Sequence, residues 1–178
     1  MSVVVDQHLR RLVDAHPLIF RSKAPAVPSY ISTGWYRLVD TLCSDIESTL
    51  GPEDCARLEV RQVKEKFGAL RFYYRLDGRA DLHIDVASAN SRMRFVGRSA
   101  QGSDDLAPKE ARVRELVTAA CAASESLCET CGAPAQLRNL GGWLTTLCDQ
   151  HLDEARAKRA VEGGRSKRTG GGDAGGAN

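Results

Sequence analysis

Six cysteines and one histidine carry the clearest chemistry in this 178-residue chain: Cys43, Cys55, Cys121, Cys128, Cys131 and Cys148, the last three in register with His151. Cys128-x2-Cys131 and Cys148-x2-His151 are separated by the 16 residues from Gly132 to Leu147. A two-residue spacer lets one tight turn aim both thiolates at a single ion, and Gly132 supplies the unhindered backbone such a knuckle needs. Cys148 and His151 stand at i and i+3, on one side of a helix's first turn. Four protein ligands close a tetrahedron. Catalytic zinc keeps a position open for water or substrate, so the pattern predicts a structural Zn²⁺ and no catalytic residue. The rival is a disulfide, disfavoured because Met1–Val5 is too short an apolar start for a signal peptide; the chain is expected in the cytoplasm, where thiols stay reduced.

The elements that must position these ligands follow from periodicity. Leu9, Leu12 and Val13 share a helical face that stops before Pro17. Residues 21–33, with Pro25 and Pro28, have the composition of an extended loop. Trp35, Leu38, Val39, Leu42, Ile46 and Leu50 recur at helical steps until Gly51-Pro52. The period then shortens to two. Leu58 and Val60, then Leu70, Phe72, Tyr74 and Leu76, alternate with polar residues as two half-buried strands, joined as a hairpin through Gly68 and closed by Asp77-Gly78. Leu82, Ile84 and Val86 suggest a third strand or the start of a helix. After a loop at 97–107, Pro108 opens a helix burying Val113, Leu116, Val117, Ala120 and Cys121. Gln136–Leu137 and Trp143–Leu147 can form a hairpin about Asn139–Gly142.

The expected fold class is therefore α+β, with helices on a small antiparallel sheet, then a treble-clef-like zinc module and a disordered tail. The expected divisions are 1–107, 108–160 and 161–178. Within the last of these, residues from Gly163 on are Gly-rich, basic and almost without apolar side chains.

Charge narrows the partners. The formal net charge is +2, but residues 156–178 carry six Lys or Arg against Glu162 and Asp173, which leaves residues 1–155 at −2. A slightly acidic body does not draw a whole protein onto nucleic acid, so such binding needs a local patch. One patch is visible. If Leu70, Phe72, Tyr74 and Leu76 face the core, the other face shows Arg71, Tyr73 and Arg75 beside Arg57 and Arg61, a set able to hold phosphates and stack a base. The alternatives are a solvated face with Glu59 and Glu65 pairing to the arginines, or a protein interface.

Cys43 and Cys121 sit beside apolar positions as core thiols, and Cys55 lies in a Pro-Glu-Asp loop. His8, His16 and His83 share no spacing with each other or with a carboxylate pair. Gln136–Thr146 contains no histidine, which argues against a treble-clef nuclease. Asp40, Asp45, Glu47, Asp77, Asp81 and Asp85 follow no spacing that demands a shared catalytic site. No stretch approaches the roughly 18 apolar residues of a membrane span.

Three stretches together resemble a family of small phage and prophage zinc proteins. They are Gly34-Trp35-Tyr36-Arg37-Leu38-Val39; the run from Val63-Lys64-Glu65-Lys66-Phe67-Gly68-Ala69 to Leu70-Arg71-Phe72-Tyr73; and Cys128-x2-Cys131-Gly132 with Leu137-Arg138, Gly142-Trp143, Thr146-Leu147-Cys148 and His151. The resemblance covers about residues 18–76 and 108–155. It implies a bacterial or phage setting and the same zinc ligands, and it brings no activity. Residues 78–107 look inserted and the basic tail looks added. The function expected is non-catalytic binding, of nucleic acid through Arg57, Arg61, Arg71, Tyr73, Arg75 and the tail, or alternatively of a host protein as adaptor or inhibitor; a metal-dependent enzyme is the third and least favoured reading.

Overall fold

Apolar periodicity in the first 55 residues builds one helical layer. The structure, a computed structural model, describes residues 7–20, 30–97 and 105–169. Helix α1 (Gln7–Ala15) buries Leu9 and Leu12, and the single turn α2 (Pro17–Phe20) buries Ile19 and Phe20. A 3₁₀ turn at Thr33–Trp35 leads into α3 (Tyr36–Cys55), whose Val39, Leu42, Cys43, Ile46 and Leu50 line the core. Helical geometry breaks at Gly51 (φ 74°, ψ 170°), where Gly-Pro was expected to end it. Pro52 then opens one further turn. That turn carries Cys55 into the core with no exposed surface, correcting its assignment to a loop.

Strands β1 (Leu58–Lys66) and β2 (Ala69–Leu76) pair antiparallel through a two-residue turn, Phe67-Gly68, with both residues at positive φ (55° and 70°). This backbone matches strand twist and favours glycine at its second position. A register shift between Val60 and Gln62 leaves Arg61 in a bulge. Leu58, Val60, Val63, Leu70, Phe72 and Leu76 face α3 and α4 (Ala107–Ser124), which adds Val113, Val117 and Ala120 to the same core. Helix α4 thus packs with the first layer, although the expected division at 107/108 groups it with the metal module.

Among the described residues, two further two-stranded sheets are separate from β1–β2. Strand β3 (Leu82–Ala87) exists as the alternation suggested, but it pairs with β4 (Arg92–Gly97) and not with β1 or β2. Its orientation reverses the usual rule. Leu82, Ile84, Val86, Met93 and Phe95 are 53–65% exposed, while His83, Asp85 and Arg94 face inward. Strands β5 (Gln136–Leu140) and β6 (Trp143–Leu147) form the last hairpin. Helix α5 (Asp149–Thr169) extends past 161, where the disordered tail was expected to begin. The run Ala155-Arg-Ala-Lys-Arg-Ala consists of strong helix formers and propagates the helix. Residues 170–178, like 21–29 and 98–104 of the two expected loops, lie outside the described residues. The chain is α+β, with small antiparallel sheets and a Cys/His cluster near its C-terminal end. Among the described residues no helix is long and apolar enough to cross a membrane.

Candidate metal centre

The Cys128–Gly132 turn, the β5–β6 hairpin and the first turn of α5 bring Cys128, Cys131, Cys148 and His151 together, their four ligand atoms all within 4.8 Å of one another. Cys131 Sγ lies 3.9 Å from Cys148 Sγ, and His151 Nδ1 lies 3.1 Å from Cys148 Sγ and 3.6 Å from Cys128 Sγ. A tetrahedral ion with M–S of about 2.3 Å and M–N of about 2.0 Å sets S···S near 3.8 Å and S···N near 3.5 Å. The spacing of the four ligand atoms is compatible with one such ion between them. All six cysteines are free thiols and none is bridged. A disulfide at this site would need sulfurs about 2.0 Å apart.

The local backbone prepares Cys128 for the thiolate form. Burial raises its thiol, but hydrogen bonds from the backbone N–H groups of Cys148, Cys131 and Thr130 outweigh this and bring it down to about 7. Gly132 takes φ 76°, and its N–H closes the knuckle on Cys128 O at 2.8 Å. With four protein donors, the arrangement can hold an ion.

The knuckle is pressed against the main core by residues that are not ligands. Gly34 N–H donates to Glu129 O at 2.8 Å. A Cβ on Gly34 would meet Cys128 O at 2.1 Å and Gly132 N at 2.4 Å, so only glycine allows this approach. The adjacent Trp35 is fully buried and donates its indole N–H to Leu127 O at 2.9 Å. From the β1–β2 turn, Gly68 O accepts from Thr146 Oγ1 at 2.6 Å. Glu129 completes the joint by accepting from Thr146 N (2.6 Å) and Thr145 Oγ1 (2.9 Å). Its burial raises its carboxyl, partly offset by these bonds. Ligand spacing could not reveal these residues. The only signal was that Gly34-Trp35 and Phe67-Gly68 belong, with the cysteines, to the three stretches that carry the resemblance.

The five proposed contact residues fare differently. Arg71 is 2% exposed, donating from Nε to Asp85 Oδ1 at 2.9 Å and from Nη1 to Leu70 O at 3.0 Å. Tyr73 is covered by the inner face of β3–β4, with the His83 ring edge-on at 5.4 Å and Arg94 over its ring at 5.5 Å. Neither can stack a base or grip a phosphate. The reason is the segment read as an insertion: it folds back over this face of β2 and supplies Asp85, whose 1% exposed side chain also meets Lys66 (3.3 Å) and Arg94 (3.8 Å). Burial raises the Asp85 carboxyl, but Arg71, Arg94 and Lys66 more than reverse this and hold it below the usual range. Arg57 is bound by Asp77 and Asp105, at 3.1 and 2.8 Å, and Arg61 by Glu59 at 2.6 Å. Glu65 accepts from Gly68 N instead of pairing with an arginine. Arg75 is exposed and ion-pairs with no described residue. The five therefore form no common basic surface.

His16, given no role by spacing, is 5% exposed and sits between Asp40 and Glu47, 3.1 Å from each, tying the junction of α1 and α2 to α3. Cys43 is fully buried in the core and Cys121 is partly buried against it, and burial raises both thiols. No protein-family model, curated protein or solved structure matches the chain, so the chemistry of the site rests on its own residues.

Proposed function

We propose that the chain is a non-catalytic, zinc-stapled binding protein of the small phage or prophage type, which engages a partner protein through the outer face of β3–β4. Three thiolates and an imidazole are a donor set that suits Zn²⁺, and a knuckle, hairpin and helix in that order make a treble-clef-like module. Four protein donors favour a structural ion, whose chemistry when bound is to hold the knuckle, hairpin and α5 in one arrangement.

The observation that carries the binding reading is the exposed row Leu82, Ile84, Val86, Met93 and Phe95. Cross-strand pairing sets Ile84 against Phe95 and Val86 against Met93, so the side chains form one contiguous surface. Their summed exposed area is roughly 500–600 Å², at the upper end of the largest apolar patch on an ordinary monomer. Among the described residues, the outward positions of the two strands are apolar, which suits an apolar protein surface and not a phosphate backbone. Arg71 and Tyr73, the centre of the nucleic-acid expectation, are occupied internally.

A photo-crosslinking residue placed at Phe95, and separately at Arg75, distinguishes the readings in nuclease-treated bacterial lysate. A single protein adduct from position 95, absent from position 75 and abolished by Ile84→Lys, is expected. A self-adduct confirmed as a dimer by sedimentation, or labelling equal at both positions, would refute partner binding at this face. Retention of DNA or RNA at low salt that Arg75→Glu abolishes would restore the nucleic-acid reading.

A further inference from the structure

Beneath the β3–β4 hairpin, between its inner face, β2 and α4, lies a cavity of about 430 Å³, within the usual range for small-molecule sites. Three guanidinium groups line it, Arg71, Arg94 and Arg114, together with His83 and an apolar wall that includes Val117 and Ala122. The charges are unequally matched. Arg114 is answered by Asp81 at 2.8 Å and Glu110 at 2.9 Å. At the other end Arg71, Arg94 and Lys66 share the single carboxylate of Asp85. Locally, one negative charge against three positive leaves an excess of two around a side chain that is 1% exposed, while the cavity's other two carboxylates, Asp81 and Glu125, are turned to Arg114 and Arg92.

Two buried nitrogens at this end also make no hydrogen bond to the protein. Arg94 Nε is 3.8 Å from Asp85 Oδ1, beyond hydrogen-bonding distance, and His83 Nδ1 has no partner. Buried polar atoms are almost always satisfied, so an unsatisfied pair on two cavity-lining residues is the mark of a missing acceptor. An acceptor that also carries negative charge answers both the open donors and the cationic excess.

We propose that this cavity binds a small organic anion, a carboxylate or phosphate monoester, with its headgroup on Arg94 and His83 and a compact apolar body along α4 against Val117. A guanidinium fork serves either headgroup, and the wall suits a ring or short branched chain. This site is separate from the partner-binding face, since the two lie on opposite sides of one hairpin.

The test is calorimetric titration of the metal-loaded full-length protein with phenyl phosphate and benzoate, using neutral benzamide as control, while His83 ring resonances are followed by NMR. Saturable binding of at least one anion with a shift of the His83 ring, and at least tenfold weaker binding of benzamide, is expected. Arg94→Gln should weaken anion binding at least tenfold. Asp85 retains Arg71 and Lys66 in that variant, and hairpin amide exchange verifies its fold. Ala122→Phe, which leaves every charge in place and fills the cavity, should abolish binding. No binding of either anion at 10 mM, binding of benzamide as tight as that of the anions, or anion binding indifferent to both substitutions would overturn the proposal.

Discussion

Hairpins β3–β4 and β5–β6 are nearly the same size, yet they are held to the protein by opposite means. A two-stranded sheet alone is marginal in water, so each needs a fastener. β5–β6 has the Cys/His cluster at one end and the backbone of Gly68 on its flank, where Thr146 Oγ1 donates to Gly68 O. β3–β4 turns its apolar side outward and is fastened by polar groups: Asp85 to Arg71, and Arg92 to the carbonyls of Phe67 (2.8 Å) and Gly68 (3.1 Å). The difference teaches that a small hairpin can dock by charge in place of a core, provided each buried charge finds its partners. It also leaves the apolar residues of β3–β4 available to something else.

The largest expected effect breaks the metal side alone. Chelation, or Cys131→Ser, should remove most of the roughly 10–16 kcal/mol of apparent binding energy a structural zinc provides. Hydrogen exchange should show residues 128–155 losing protection while 82–97 retain theirs. Asp85→Ala tests the opposite fastener by leaving Arg71 buried and unpaired, a loss expected at about 3–5 kcal/mol. Protection should vanish over residues 82–97 while metal stoichiometry stays at one per chain; loss of the ion in this variant would show that the hairpins are not independently fastened.

Smaller effects sharpen the same contrast. Gly34→Ala forces a methyl into Cys128 O and Gly132 N and should cost about 1–3 kcal/mol or more. Because the clash falls on the knuckle, a competition titration should show weakened metal affinity although Gly34 is no ligand. Asp85 also sets a pH limit on its hairpin. Its carboxyl is held below the ordinary value, so its contribution is fully present above about pH 4, the unfolded value, and is lost as pH falls through the lower folded value. Acid titration followed at the Arg71 Nε resonance should therefore show wild-type docking intact at pH 5 and failing only below about 4. Arg75→Ala should change thermal stability by less than about 0.5 kcal/mol, as befits an exposed side chain without an ion pair.

The Cys/His cluster was legible because its chemistry is local: two pairs at fixed short spacings bring four donors together whatever surrounds them. Helix α3 and strands β1 and β2 were legible for a related reason, since Leu42, Ile46 and Leu50, or Leu70 and Phe72, repeat with the period of the element they form. Spacing along the chain thus determined the Cys/His cluster, the helices and the alternation of the strands. Which side of a strand is covered depends on a segment elsewhere, and no periodicity encodes it. The alternation that exposes Arg71 and Tyr73 on β2 is the same whether water or Asp85 lies above them. Likewise nothing around Gly34 announces that Cys128 O will approach it. Only the tertiary structure decided that β3–β4 closes over β2 with its apolar side outward, and that the metal module leans on the Gly34-Trp35 turn, because both depend on charges and close backbone contacts between residues far apart in the chain.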